Sequence, residues 1–146
     1  MESSSNLDYT KMLEMCLVHD LPEIYSGDIF PFGNDFNEFS KKSFEKLAAD
    51  KLFNFLDGDL KKKFINLYGE YSSMESNEAQ IVKAIDKIQP DHLNLILRGG
   101  NWNKYNLTYS RLFEYKHIFV VKNKFTEFLY YDFILNSALE KGYLKK

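Results

Sequence analysis

Apolar residues recur at helical spacing along most of the chain, and Pro, Gly and Asp interrupt the pattern at intervals. Residues 1–7 are polar and read as a loose start. Asp8 can cap a helix from about Tyr9 that carries Met12, Met15, Cys16 and His19 on one face. Pro22 should end or kink that helix, and Gly27 permits a turn. The segment 30–39, F-P-F-G-N-D-F-N-E-F, reads as an irregular aromatic loop. A helix over about 40–56 then places Phe44, Leu47, Ala48, Leu52 and Phe55 inward. Asp57-Gly58 closes it, and Asp59 is expected to cap the next, over about 60–72. Another begins near Ser76-Asn77-Glu78 with Ile81, Val82, Ile85 and Ile88. Pro90 is expected to interrupt it before Gly99-Gly100 stops the run. The segment 101–108 reads as a loop, followed by helices over about 108–121 and 124–140. No alternation is long enough to build a sheet. The pattern predicts one all-α domain over residues 1–146, a bundle of about five to seven helices.

Composition adds limits. Hydrophobic residues are 45% of the chain and aromatic residues 16%, so large rings should fill much of the core. The net charge of -2 argues against a nucleic-acid or anionic-membrane surface. No apolar run approaches the roughly 18 residues needed to span a bilayer, and M-E-S-S-S-N lacks the features of a signal peptide. Cys16, the single cysteine, is expected to be a buried thiol in a reducing compartment. A cytoplasmic protein is the expectation.

The stretch M-C-L-V-H-D-L-P-E-I-Y-S-G-D-I-F, residues 15–30, concentrates the candidate chemistry. Imidazole and carboxylate side by side, as in His19 and Asp20, suit a divalent cation. Two protein ligands hold a metal weakly, and Asp86 is the best third candidate. It lies in an apolar segment where an unpaired carboxylate would be costly; the alternative is an exposed helical Asp beside Lys83 and Lys87. Glu23 is placed either to move a proton near such an ion or simply to be solvated. Asp28 can cap a turn or orient a ligand or water. Lys61, Lys62 and Lys63 read as a solvated face. Phe32, Phe36, Trp102 and Tyr105 are candidates for stacking on a base, with packing the alternative.

H-D-L-P-E-I-Y-S-G-D-I-F resembles the core of the HD-domain metal-dependent phosphohydrolases, in particular the branch containing the 5'-deoxynucleotidases. E-A-Q-I-V-K-A-I-D-K-I-Q-P at 78–90 resembles that family's later helix, which supplies a metal-binding Asp, and Asp86 falls on that position. G-G-N-W-N-K-Y-N-L-T at 99–108 is similar to the Trp-containing loop of one subgroup. The three motifs lie in the family's order. The resemblance implies an HD-like helical bundle with His19, Asp20 and Asp86 ligating a divalent metal ion (Mn, Co, Mg, Zn or Fe). It implies a catalytic or proton-transfer role for Glu23 and a supporting or nucleotide-contacting role for Asp28. The implied reaction is hydrolysis of a nucleoside 5'-monophosphate, or another phosphomonoester, by metal-activated water.

One departure stands out. The family's metal set begins with a further His on a preceding helix, and no histidine precedes His19. The chain is therefore expected to be N-terminally short of that helix, and His92 and His117 are poorly placed to substitute. An uncovered apolar stripe, expected at Met12, Met15 and facing Phe residues, would then be buried against a partner, expected to be another copy in a homo-oligomer. The competing reading is a catalytically impaired relative that binds a metal or nucleotide.

Overall fold

Helices account for every extended element of the computed structural model, which describes residues 7–28, 30–33 and 37–146, with Glu38 described by its backbone alone. The first six residues and Phe36, a proposed stacking residue, lie outside that set. In chain order the helices are α1 (Tyr9–Val18), α2 (Glu23–Ser26), α3 (Glu38–Phe53), α4 (Gly58–Ser73), α5 (Asn77–Ile96), α6 (Gly100–Lys104), α7 (Tyr109–Val120) and α8 (Lys124–Phe128). A π-helical stretch, Leu129–Leu135, leads from α8 into α9 (Asn136–Glu140). Thr108 and Lys145 form an isolated bridge; no strand appears among the described residues. This is the all-α bundle that the apolar spacing predicts.

Residues 1–79 and 80–146 form two compact units. In the first, α1 packs on α4, α2 on α3, and α3 on α4. Asp8 caps α1 as expected, accepting from the Lys11 N–H at 2.9 Å. The Asp8 N–H donates to Glu78 at 3.1 Å, and Lys11 pairs with Glu70 at 2.8 Å and Glu78 at 3.3 Å. Met15, Val18, Phe53, Leu67 and Tyr71 are buried here. In the lysine run Lys61 is half-buried and Lys62 and Lys63 are exposed, Lys62 pairing with Asp59 at 3.6 Å and Lys63 with Glu14.

The second unit contains α5 from Gln80 onward and the elements after it. Its core holds Trp102, Leu112, Val120, Tyr130, Ile134, Leu135 and Ala138. The π-helical stretch explains how the last four coexist. In an α-helix Leu135 would sit about 140° round the axis from Tyr130, five residues earlier. The wider i→i+5 turn returns it toward the same side, and both side chains are fully buried. Gly99 joins α5 to α6 at φ 102°, and a Cβ there would lie 2.8 Å from the Tyr143 carbonyl oxygen, so the position requires glycine.

Several expectations are corrected. Asp57, not Asp59, occupies the N-cap of α4. Residues 100–104 are helical rather than loop. Pro90 lies inside an unbroken α5, with side chains serving carbonyls on both sides of it: Lys116 donates to Lys87 O at 2.8 Å and Asn94 to Pro90 O at 2.9 Å. The inward face of α3 is Ala48, Ala49 and Phe53, while Phe44, Leu47 and Phe55 are exposed. Cys16 is exposed too, because α1 turns Met15 and Val18 inward. The exposed apolar edge of α1 is Tyr9, Leu13 and Leu17 rather than Met15, which is 0% exposed.

Candidate metal centre

The end of α1 delivers His19 and Asp20 together. The His19 backbone N–H donates to Met15 O at 2.9 Å, and the side chain then folds back on the helix end. Its Nδ1 lies 2.8 Å from Cys16 O, its Nε2 lies 3.0 Å from Asp20 Oδ1, and its ring tilts against Tyr71 with centroids 4.9 Å apart. A carbonyl only accepts, so Nδ1 must carry a proton. A neutral imidazole has no second one, and Nε2 then turns a lone pair toward a carboxylate. Two electron-rich atoms at that separation call for a cation, either a proton or a metal ion. The carbonyl contact at Nδ1 is also the kind of support that orients a metal-binding imidazole.

α1 ends before Pro22, as expected, and Pro22 is the N-cap of the second, short helix α2. Residues 19–22 form a turn, and the Glu23 N–H donates to Asp20 O at 2.9 Å. Glu23 is half-buried; burial, then the charges of Asp20 and Asp28, hold its carboxyl above the ordinary carboxylate range. Gly27 closes α2 at φ 73°, and Asp28 follows, exposed. Asp86 is half-buried on α5 with its Oδ2 3.0 Å from Lys87 Nζ, so it is neither an unpaired carboxylate in a core nor a fully solvated one.

Between α2 and α3 lies a cleft of about 470 Å³ lined by Tyr25, Ser26, Phe44, Leu47, Ala48 and Lys51. The Lys51 ammonium sits over the Tyr25 ring, 4.0 Å from its centroid. Of the stacking candidates, Trp102 is buried and donates to Asp91, so it packs. Tyr105 is exposed, and Phe32 is half-buried against Phe30. His92 is exposed; His117 is half-buried, with Nδ1 2.9 Å from the Tyr131 hydroxyl.

The polar cluster around Asp91, with Lys116, Tyr130 and Trp102, has no counterpart in the sequence-based reading. Its partners lie 11 to 39 residues apart. One signal was available: Lys116 occupies the apolar stripe of α7, in phase with Leu112, Phe119 and Val120.

A helical bundle with an adjacent His–Asp pair at a helix end defines the HD class of phosphohydrolase folds. The chain belongs to the HD domain family, whose family model matches residues 1–127. It is 36% identical over 103 residues to the 5'-deoxynucleotidase HDDC2 of Dictyostelium discoideum, covering 70% of this chain and 51% of that protein. The Danio rerio 5'-deoxynucleotidase HDDC2 is 37% identical over 79 residues, 54% of this chain and 39% of that one. The chain thus spans about half the length, or less, of these curated relatives. The crystal structure of a predicted metal-dependent phosphohydrolase from Magnetospirillum magnetotacticum MS-1 superposes with a TM-score of 0.82 at 26% identity, over 99% of this chain and 72% of that one. No helix among the described residues is long and apolar enough to cross a membrane.

Proposed function

We propose that this chain is a metal-dependent phosphohydrolase acting on nucleoside 5'-monophosphates, with His19, Asp20 and Asp86 holding the cation. The observation that carries the reading is the pair at the end of α1, where His19 Nε2 lies 3.0 Å from Asp20 Oδ1 and Nδ1 lies 2.8 Å from Cys16 O. One imidazole and two carboxylates suit a divalent first-row metal or magnesium, and the lone pair that His19 turns toward Asp20 fits the same role. A divalent cation held there would activate water and offset charge on the phosphoryl oxygens.

The chain's own residues supply the rest. Glu23, one turn beyond Asp20 and with its proton held more tightly than usual, is suited to give or take a proton at its carboxyl oxygens. Asp28 orients water or a sugar hydroxyl. The cleft beside α2 offers apolar and aromatic walls with one cation, a surface suited to a nucleoside, and Tyr25 and Ser26 share α2 with Glu23. Self-association belongs to the same proposal: Tyr9, Leu13 and Leu17, each at least 67% exposed, form an apolar edge for a second copy. Sedimentation at micromolar concentration should show a dimer, and a monomer would remove that part.

The deciding experiment measures phosphate release from deoxynucleoside 5'-monophosphates with manganese, cobalt or magnesium, for the native chain and Asp20→Ala. Metal-dependent release that Asp20→Ala abolishes supports the reading; no release with any metal defeats it. The alternative outcome is a metal- or nucleotide-binding module without turnover, in which the His19–Asp20 pair holds an ion and no phosphate is released. Metal binding by calorimetry without phosphate release would select it.

A further inference from the structure

Three polar side chains converge on one carboxylate inside the second unit. Asp91 and Lys116 are only 2% and 4% exposed. Lys116 Nζ donates to Asp91 Oδ2 at 2.6 Å and to Lys87 O at 2.8 Å. The Tyr130 hydroxyl donates to the same Oδ2 at 2.9 Å, and Trp102 Nε1 to Oδ1 at 2.9 Å. The donors come from α6, α7 and the π-helical stretch, and all meet on α5. A buried ion pair contributes little net stability, because desolvating both charges offsets much of their attraction. What it does provide is a fixed direction, and the geometry shows what is being directed.

Pro90 lies within α5 and has no N–H. The carbonyl of Asp86, four residues earlier, therefore receives no helical hydrogen bond from it, and the proline ring crowds that carbonyl. That lost helical bond falls at the residue assigned to the cation. Lys116 bridges the defect, gripping the Lys87 carbonyl on one side of Pro90 and the Asp91 carboxylate on the other. We propose that the Asp91–Lys116 pair is a positioning device that holds the α5 backbone at Asp86 across the Pro90 defect and so fixes the direction of the Asp86 carboxylate toward a divalent cation. The proposal rests on the metal-site reading above.

The test compares manganese binding by titration calorimetry in the full chain, Asp86→Asn, and the double variant Lys116→Met with Asp91→Leu, below each protein's melting temperature. The double variant removes both buried charges together, so no orphaned ion remains. Its manganese Kd should rise about tenfold or more while the chain still melts cooperatively. A purely structural pair would change the melting temperature and leave the Kd alone, which would overturn the proposal. Should the double variant fail to fold, Tyr130→Phe decides: it removes one bond to Asp91, and a Kd raised about threefold supports the device while an unchanged Kd refutes it. The Asp86→Asn arm separates the two claims. If that change leaves manganese affinity intact, the metal-site reading falls; if it weakens binding and the double variant does not, only the positioning claim falls.

Discussion

The Glu23 N–H donates to the Asp20 carbonyl at 2.9 Å, tying the start of α2 to the residue that carries one candidate metal ligand. The bond sets two carboxylates with different assignments one turn apart. Glu23→Gln should therefore separate chemistry from binding. Phosphate release should fall by about 10²–10⁴-fold, while manganese affinity stays within about threefold by calorimetry. Unchanged turnover would remove Glu23 from proton transfer.

The environment of Glu23 also gives a pH dependence with a definite sign. Its carboxyl titrates above the ordinary 4.5 because burial, then Asp20 and Asp28, disfavour the charged form. A carboxyl raised on folding adds stability at low pH, and that contribution is lost as pH rises through the raised value. The metal-free native chain should therefore lose melting temperature relative to Glu23→Gln as pH climbs from about 4. Parallel melting curves for the two proteins across that range would contradict the assignment.

Lys11 behaves in the opposite sense. Its hydrogen bond holds the Glu70 carboxyl below the ordinary range, and the Asp8 backbone N–H, with help from Lys11, does the same for Glu78. That stability is present above the normal carboxylate pKa and disappears as pH falls through the lowered one. Lys11→Met should lower the melting temperature at neutral pH by roughly 2–4 °C. The difference should close in acid; a gap that persists there would point to lost packing of the lysine stem.

Trp102 is 1% exposed, and its indole N–H is one of three side-chain donors that meet the Asp91 carboxylate. Trp102→Phe keeps most of the ring volume and deletes that donor. Urea unfolding should show a loss of about 1–3 kcal/mol, the usual cost of leaving one buried acceptor short of a partner. A loss below about 0.5 kcal/mol would mean that Lys116 and Tyr130 satisfy Asp91 alone.

Local signals made the helical fold and the His19–Asp20–Glu23 segment legible in the sequence. A cap at Asp8, apolar spacing through Met15 and the break at Pro22 all act within one or two helical turns. The face of α3 was misread for a physical reason. Phe44, Leu47 and Phe55 are large and apolar, yet their stripe is exposed, and the small side chains of Ala48 and Ala49 make the inward contact. Pro90 was misread because the groups that accommodate it, Lys116 and Asn94, are side chains whose orientation no spacing rule specifies. The Asp91 cluster was invisible for a related reason: its partners meet only once α5, α6, α7 and the π-helical stretch have packed.

The wide turn between Tyr130 and Leu135 makes the local winding itself a constraint. Winding the same residues as an ordinary α-helix, with none removed, would swing every side chain beyond the turn by about 100°. Ile134, Leu135 and Ala138, all at 0% exposure, could not stay inward together, and the Tyr130 hydroxyl would lose its aim at Asp91. Point substitutions on the outer face, at Phe128 or Phe133, leave that winding intact. This stretch should therefore tolerate changes of spelling far better than changes of winding.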